Sequence, residues 1–304
     1  MNTPPAGIPP YQRYRLRFQA EAPLRLPAHP GPAWRGALGK ALRELVCITR
    51  APRCHGCLLA ATCTYQRCFE SALPDPAGQG ITTHAPHPFV LHAEGGHHHQ
   101  DLRLTLLEAA NDHRPALLLA LQKAAGGGIG HPRNRLRLAL VEQAWNGTWH
   151  PIHRPGEHLR PVDTPATTPP PPDGPVRIRL ASPLRLVHRG RPVRPGDLTP
   201  RLFLHALYAR LRKLDRTYGR GRAPYWPAVP EEARFIEADL RWRDVERYSH
   251  RQGRRHPMGG LIGHLTLDLE GLEDAWPPLW HGQFLHLGKH TAMGHGAYRI
   301  EPHP

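Results

Sequence analysis

Apolar and polar residues alternate strictly over Arg13-Tyr14-Arg15-Leu16-Arg17-Phe18, which predicts a strand with one apolar and one cationic face. Pro32 then opens a helix that stacks Trp34, Leu38, Leu42 and Leu45 along one stripe. Strands are predicted near 89–92 and 102–106, then a helix over 112–125 that Gly126-Gly127-Gly128 stops. Residues 135–141 alternate again and predict one more strand.

The order then repeats. Val176-Arg177-Ile178-Arg179-Leu180 is a strand of the same type. Thr199-Pro200 is a cap and first-turn signal for a helix carrying Phe203, Leu207, Leu211 and Leu214 and ending at Gly219. Strands are predicted at 235–245, 261–269 and 284–287, and a short helical stretch at 274–280 carries Pro277-Pro278. Strand–helix–strand–strand–helix–strand, written twice, predicts an α+β protein of tandem ferredoxin-like domains. Residues 163–175, DTPATTPPPPDGP, are a polyproline-prone spacer between domains at 1–162 and 176–304.

Charge narrows the partner. The net charge of +15 points to a polyanion, most often a nucleic acid. Arg outnumbers Lys 36 to 4, a bias that GC-rich coding explains, but such a bias leaves the shortage of Asp and Glu unexplained. No run of about 18 apolar residues occurs, so a membrane span is not expected and the cytoplasm is the expected compartment.

All five cysteines lie between Cys47 and Cys68, inside an insertion at 47–69 that follows the first helix. Cys47, Cys54, Cys57 and Cys63 can wrap one structural metal centre, and Cys68 is an alternate ligand. The second dense signal closes the chain, where Gly288, Lys289, Gly294 and Gly296 form a glycine-rich cationic loop expected to grip phosphates. The run Arg247, Tyr248, Arg251, Arg254 and Arg255 precedes it and is expected to follow an RNA backbone.

Trp34-Arg35-Gly36-Ala37-Leu38-Gly39, the cysteine box, Gly128-Ile129-Gly130 with Arg133 and Arg135, Gly259-Gly260 and the closing loop occur in that order. The arrangement resembles the CRISPR precursor-RNA processing endoribonucleases of the RAMP superfamily. That resemblance implies a repeat RNA substrate and cleavage without a catalytic metal to a 2′,3′-cyclic phosphate. It also implies mature guide RNAs as product and other CRISPR effector subunits as partners. The closing loop is shared with non-cleaving RAMP subunits, which leaves a guide-RNA-binding subunit as the alternative. Within the box, CITRAPRCHGCLLAATC resembles the iron–sulfur loop of the endonuclease-three and adenine-glycosylase family, which favours a 4Fe–4S cluster over zinc. A DNA glycosylase is excluded by the early position of the box, with one strand and one helix ahead of it.

Metal-free cleavage needs a base for the 2′-hydroxyl and cations around the phosphorane. His29, in the turn before the first helix, and His250 are the candidate bases. Lys40 or Arg251 is expected to stabilise the phosphorane, and Tyr248 to position the nucleotide.

Overall fold

The computed structural model describes residues 7–54, 56–70, 73–74, 81–82, 85–219, 228–249 and 254–301. It contains two compact units, one built mainly on Pro9–Ala166 and the other on Thr167–Arg216 with Arg220–Pro304. No helix among the described residues is long and apolar enough to cross a membrane.

In the first unit, β1 (Tyr11–Ala20) buries Tyr14, Leu16 and Phe18 and turns Arg13, Arg15 and Arg17 to the other face, as the alternation predicts. α1 (Gly31–Val46) buries Trp34, Leu38 and Leu42, and the Trp34 ring lies 5.0 Å from that of Phe18. Leu45 departs from the predicted stripe: it lies in the last turn, where the chain leaves for the cysteine-rich segment, and is 39% exposed. β2 (Phe89–Gly95), β3 (His99–Leu107), α2 (Arg114–Gly127) and β4 (Leu136–Trp145) complete the series.

A further strand, β5 (Thr148–His153), lies beyond the predicted set. Its signal was Asn146-Gly147, both residues at positive φ, a two-residue hairpin turn that reverses the chain from β4. The sheet order is β2-β3-β1-β4-β5, with every neighbouring pair antiparallel.

In the second unit, β6 (Val176–Leu184) alternates as predicted, and α3 (Pro200–Tyr218) buries Phe203, Leu207, Leu211 and Leu214. Thr199 caps that helix, its Oγ1 accepting from the Leu202 amide at 3.2 Å. β7 (Phe235–Arg243) and β8 (Gly260–Leu267) follow. The strand expected at 284–287 is instead the end of α4 (Trp276–Leu285) and the turn after it. Pro277 and Pro278 fall in the first turn, where a missing N–H costs no helical bond, so they open this helix rather than break it. The closing strand is β9 (Tyr298–Glu301).

The second sheet runs β7-β8-β6-β9. Counted within each unit, both sheets place second, third, first and fourth strands side by side, the antiparallel order of a ferredoxin-like domain. Two such domains, one carrying an extra edge strand, make this an α+β protein of tandem ferredoxin-like folds.

The proline-rich spacer is tied down along its first half. Gln12 donates to the Thr164 carbonyl at 2.6 Å, and the Gln143 side chain accepts from the Val162 amide at 3.0 Å. Further along, the indoles of Trp276 and Trp280 donate to the carbonyls of Pro169 and Thr167. A polyproline segment has no backbone partners of its own, so side chains supply them.

Candidate nucleic-acid interface

The glycine-rich closing loop is rigid rather than an open cradle of amides. Leu287 donates to Gly296 O, Lys289 to Arg185 O, and Gly296 to Pro183 O, at 2.9, 2.9 and 3.0 Å. Met293 and His295 both donate to His290 O. These bonds stitch the loop to itself and to the chain leaving β6. Gly296 has φ +69°, and a Cβ there would stand 1.7 Å from Leu287 O; at Gly288 it would stand 2.4 Å from Arg185 O. The glycines therefore permit backbone to approach backbone.

Gly294 and Gly296 are buried, so of the four predicted loop residues these two shape the loop from within. Lys289 is exposed at the tip, and Gly288 is half-buried beside it. His295 is buried, while His286 Nδ1 lies 3.0 Å from His295 O, which makes this pair part of the scaffold.

Around that tip the fold collects cations that sequence reasoning missed. Arg185, whose carbonyl holds Lys289, also donates from Nη1 to Gly259 O at 2.9 Å. The guanidinium of Arg194 lies 4.1 Å from the Trp242 ring centre, and that of Arg185 lies 6.0 Å from it. Arg194 is exposed and Trp242 half-exposed, which gives two cations and an aromatic face on one surface. No sequence signal joins Arg194 to a residue 48 positions away, although Trp242 between Arg241 and Arg243 is an aromatic interleaved with cations.

The predicted basic run forms a hairpin, Glu246–Ser249 against Arg254–Pro257, with Arg247 opposite His256 and Tyr248 opposite Arg255. Met258 N donates to Val245 O at 2.7 Å and closes its base beside Trp242 in the chain. His250 and Arg251 lie outside the described residues.

Arg194→Ala combined with Lys289→Ala is expected to lower the slope of log affinity against log salt by about 2, one for each lost phosphate contact, without moving the melting temperature. Filter binding of a stem–loop RNA across a salt series checks this, and an unchanged slope removes the cluster from the interface.

The first unit offers its own basic tip. The buried Asn134 side chain accepts from the Arg25 amide at 2.7 Å and donates to Ile129 O and Pro132 O at 2.9 and 2.7 Å. These bonds hold the glycine-rich turn after α2 in place and leave Arg25, Arg133 and Arg135 exposed. On the sheet face, Arg15 makes a bidentate pair with Glu142, which Arg17 shares at 3.0 Å, and Arg15 also lies 4.8 Å from the Trp149 ring centre. One carboxylate between two guanidiniums leaves that face cationic.

His29 stands half-buried in the turn that leads into α1, its Nε2 shielded from solvent. Lys40 is exposed on α1, nine residues past the helix start and so about 14 Å along its axis. Its ion pair with Glu44 is long, at 3.9 Å. Glu44 is held below the usual carboxylate range first by its hydrogen bond to Lys123, so Lys40 is only loosely tethered. The helix thus sets His29 and Lys40 well apart. Sequence reasoning also passed over His87, whose Nε2 lies 2.9 Å from Arg35 Nη2, with the Arg35 guanidinium 4.4 Å from the Phe69 ring centre. An arginine can only donate, so in this contact Nε2 is the acceptor.

The four thiols of Cys47, Cys54, Cys57 and Cys63 line a single cavity of about 210 Å³, whereas Cys68 is fully buried apart from it. Among the described residues, no three His, Cys, Asp or Glu side chains stand at spacing ready for a metal ion.

The chain is thus a protein of tandem ferredoxin-like domains with basic, glycine-shaped tips, and two family models match it. One, described as an N-terminal domain, covers residues 8–165, and the CRISPR-associated endoribonuclease Cas6 covers residues 178–298. The second unit of the chain belongs to the CRISPR-associated endoribonuclease family Cas6.

Among solved structures, a Cas6 product complex has a TM-score of 0.54 at 19% identity, covering 97% of this chain and 100% of that one. Thermus thermophilus Cas6 has a TM-score of 0.53 at 17% identity, with 96% and 99% covered. A partial Cas6–RT–Cas1–Cas2 complex has a TM-score of 0.56 at 14% identity, covering 98% of this chain and 46% of that one. At these identities the likeness is one of fold. No curated protein matches the chain by sequence.

Proposed function

We propose that this protein binds the repeat stem–loop of a CRISPR transcript and cuts it once, releasing guide RNAs. The observation that carries the reading is the exposed Lys289 at the tip of a loop fixed by backbone bonds, with exposed Arg194 over the half-exposed Trp242 ring beside Arg185, whose carbonyl holds that loop. Cations on a stiff support meet phosphates at small ordering cost, and a flat aromatic accepts an unstacked base. Arg25, Arg133 and Arg135 extend the same chemistry on the first unit.

Cleavage proceeds by attack of the 2′-oxygen on the adjacent phosphorus, with His29 or His250 taking the hydroxyl proton. The P–O5′ bond breaks, the 5′-oxygen takes up a proton, and a 2′,3′-cyclic phosphate remains. Lys40 or Arg251 stabilises the phosphorane that forms. Tyr248 positions the nucleotide, and no metal takes part in the chemistry. Other CRISPR effector subunits are partners in the same proposal, in keeping with a fold shared with a Cas6–RT–Cas1–Cas2 complex.

Incubating the purified protein with a CRISPR repeat RNA in EDTA tests this. A single internal cut with a cyclic-phosphate end is the expected result. Tight binding with no cut would instead identify a guide-RNA-binding subunit.

A further inference from the structure

We infer that Cys47, Cys54, Cys57 and Cys63 hold one metal centre through four thiolates, a site separate from the RNA chemistry proposed above. All four line the same cavity. The Thr49 hydroxyl lies 3.8 Å from the Cys47 sulfur and 4.0 Å from the Cys57 sulfur, so two thiols separated by nine residues flank one hydroxyl. Cys57 N donates to Cys54 O at 3.2 Å with Gly56 at φ +75°, a tight turn that brings the paired cysteines to one side. Cys63 is carried on the following turn, its amide donating to Leu59 O at 2.9 Å.

Apolar burial does not account for this segment's order. Ile48 is 83% exposed, Leu58 99% and Leu59 40%, so the large apolar residues between Cys47 and Cys63 face solvent, and the insertion's buried Tyr65, Cys68 and Phe69 all lie beyond Cys63. Its described residues from Cys47 to Cys63 also include no strand and no α-helix. A short segment with neither core nor ladder needs a covalent or coordinate staple. Four thiolates around one centre supply it, each thiol losing its proton to solvent as its metal–sulfur bond forms.

Arg53 lines the cavity, and Arg43 donates to Ala51 O beside it, so cations stand near the negative charge that thiolates bring. The thiols surround a space of about 210 Å³ rather than a point, which suits a cluster better than a bare ion. Zinc and an iron–sulfur cluster share this ligand chemistry, and elemental analysis separates them.

Protein purified without oxygen, then supplied in separate samples with zinc or with iron and sulfide salts, is analysed for metal content. About four iron atoms with sulfide and a broad visible absorbance, or about one zinc ion, are expected per chain. Cys54→Ser/Cys57→Ser is expected to lose this metal and Cys68→Ser to keep it. Removing metal from the wild-type protein with a chelator is expected to lower its melting temperature, a readout independent of whether the double variant folds. Absence of stoichiometric metal from every wild-type sample, or its full retention by Cys54→Ser/Cys57→Ser, would overturn the assignment.

Discussion

The double variant His29→Ala/His250→Ala is expected to cut repeat RNA about 10²–10⁴-fold more slowly than the wild-type protein, the usual scale of general acid–base catalysis. Its affinity for the RNA is expected to stay within about twofold, because affinity for a polyanion comes mainly from many phosphate contacts. The two quantities come apart only if the histidines act on the proton rather than on the phosphate. Single-turnover cleavage beside gel-shift binding reads both, and the two single variants then identify the base. His29 has the shielded Nε2 and the fixed position before α1. His250 has Arg251 as its neighbour. Cutting at the wild-type rate by the double variant would remove both from the mechanism.

Gly296→Ala is expected to destabilise the second unit by about 3 kcal/mol or more, in the class of changes that force backbone apart. Two effects add. The residue sits at φ +69°, where an L side chain costs about 1–2 kcal/mol. Its new Cβ would also lie 1.7 Å from Leu287 O, the neighbour of an amide that bonds back to Gly296 O, so the loop must open to admit it. Gly36→Ala gives the opposite sign. That glycine lies inside α1 with no atom within 4 Å of a built Cβ, and alanine there is expected to stabilise by up to about 1 kcal/mol. Urea unfolding midpoints compare the two. A Gly296→Ala protein as stable as wild type would mean that the loop is not the rigid support described.

The strands and helices that carry the core were legible because their signals are local. Arg13 to Phe18 and Val176 to Leu180 alternate with period two, and Phe203, Leu207, Leu211 and Leu214 follow a helical stripe under a Thr199 cap. Proline and glycine misled where context decides their meaning. Pro277-Pro278 were read within a short helical stretch at 274–280, but they open α4, which runs on to Leu285. The closing glycines read as a phosphate cradle, yet Gly294 and Gly296 serve contact between backbone segments. The Asn146-Gly147 hairpin was visible in principle and passed unread.

What sequence could not give are pairings across the chain. Arg194 over Trp242, Asn134 on Arg25 and Arg35 on His87 join residues 48 to 109 positions apart, and only the folded sheet order brings them together. Those pairings decide which of 36 arginines stand on a stiff support near an aromatic face.

Cleavage of repeat RNA in EDTA, compared with the same RNA carrying a single 2′-deoxy sugar on the 5′ side of the scissile phosphate, tests the central claim most directly. The all-ribose strand is expected to be cut once, and the deoxy strand to bind equally well and stay whole. Equal cutting of both strands, or of neither, would contradict a processing enzyme that uses the RNA's own hydroxyl as nucleophile.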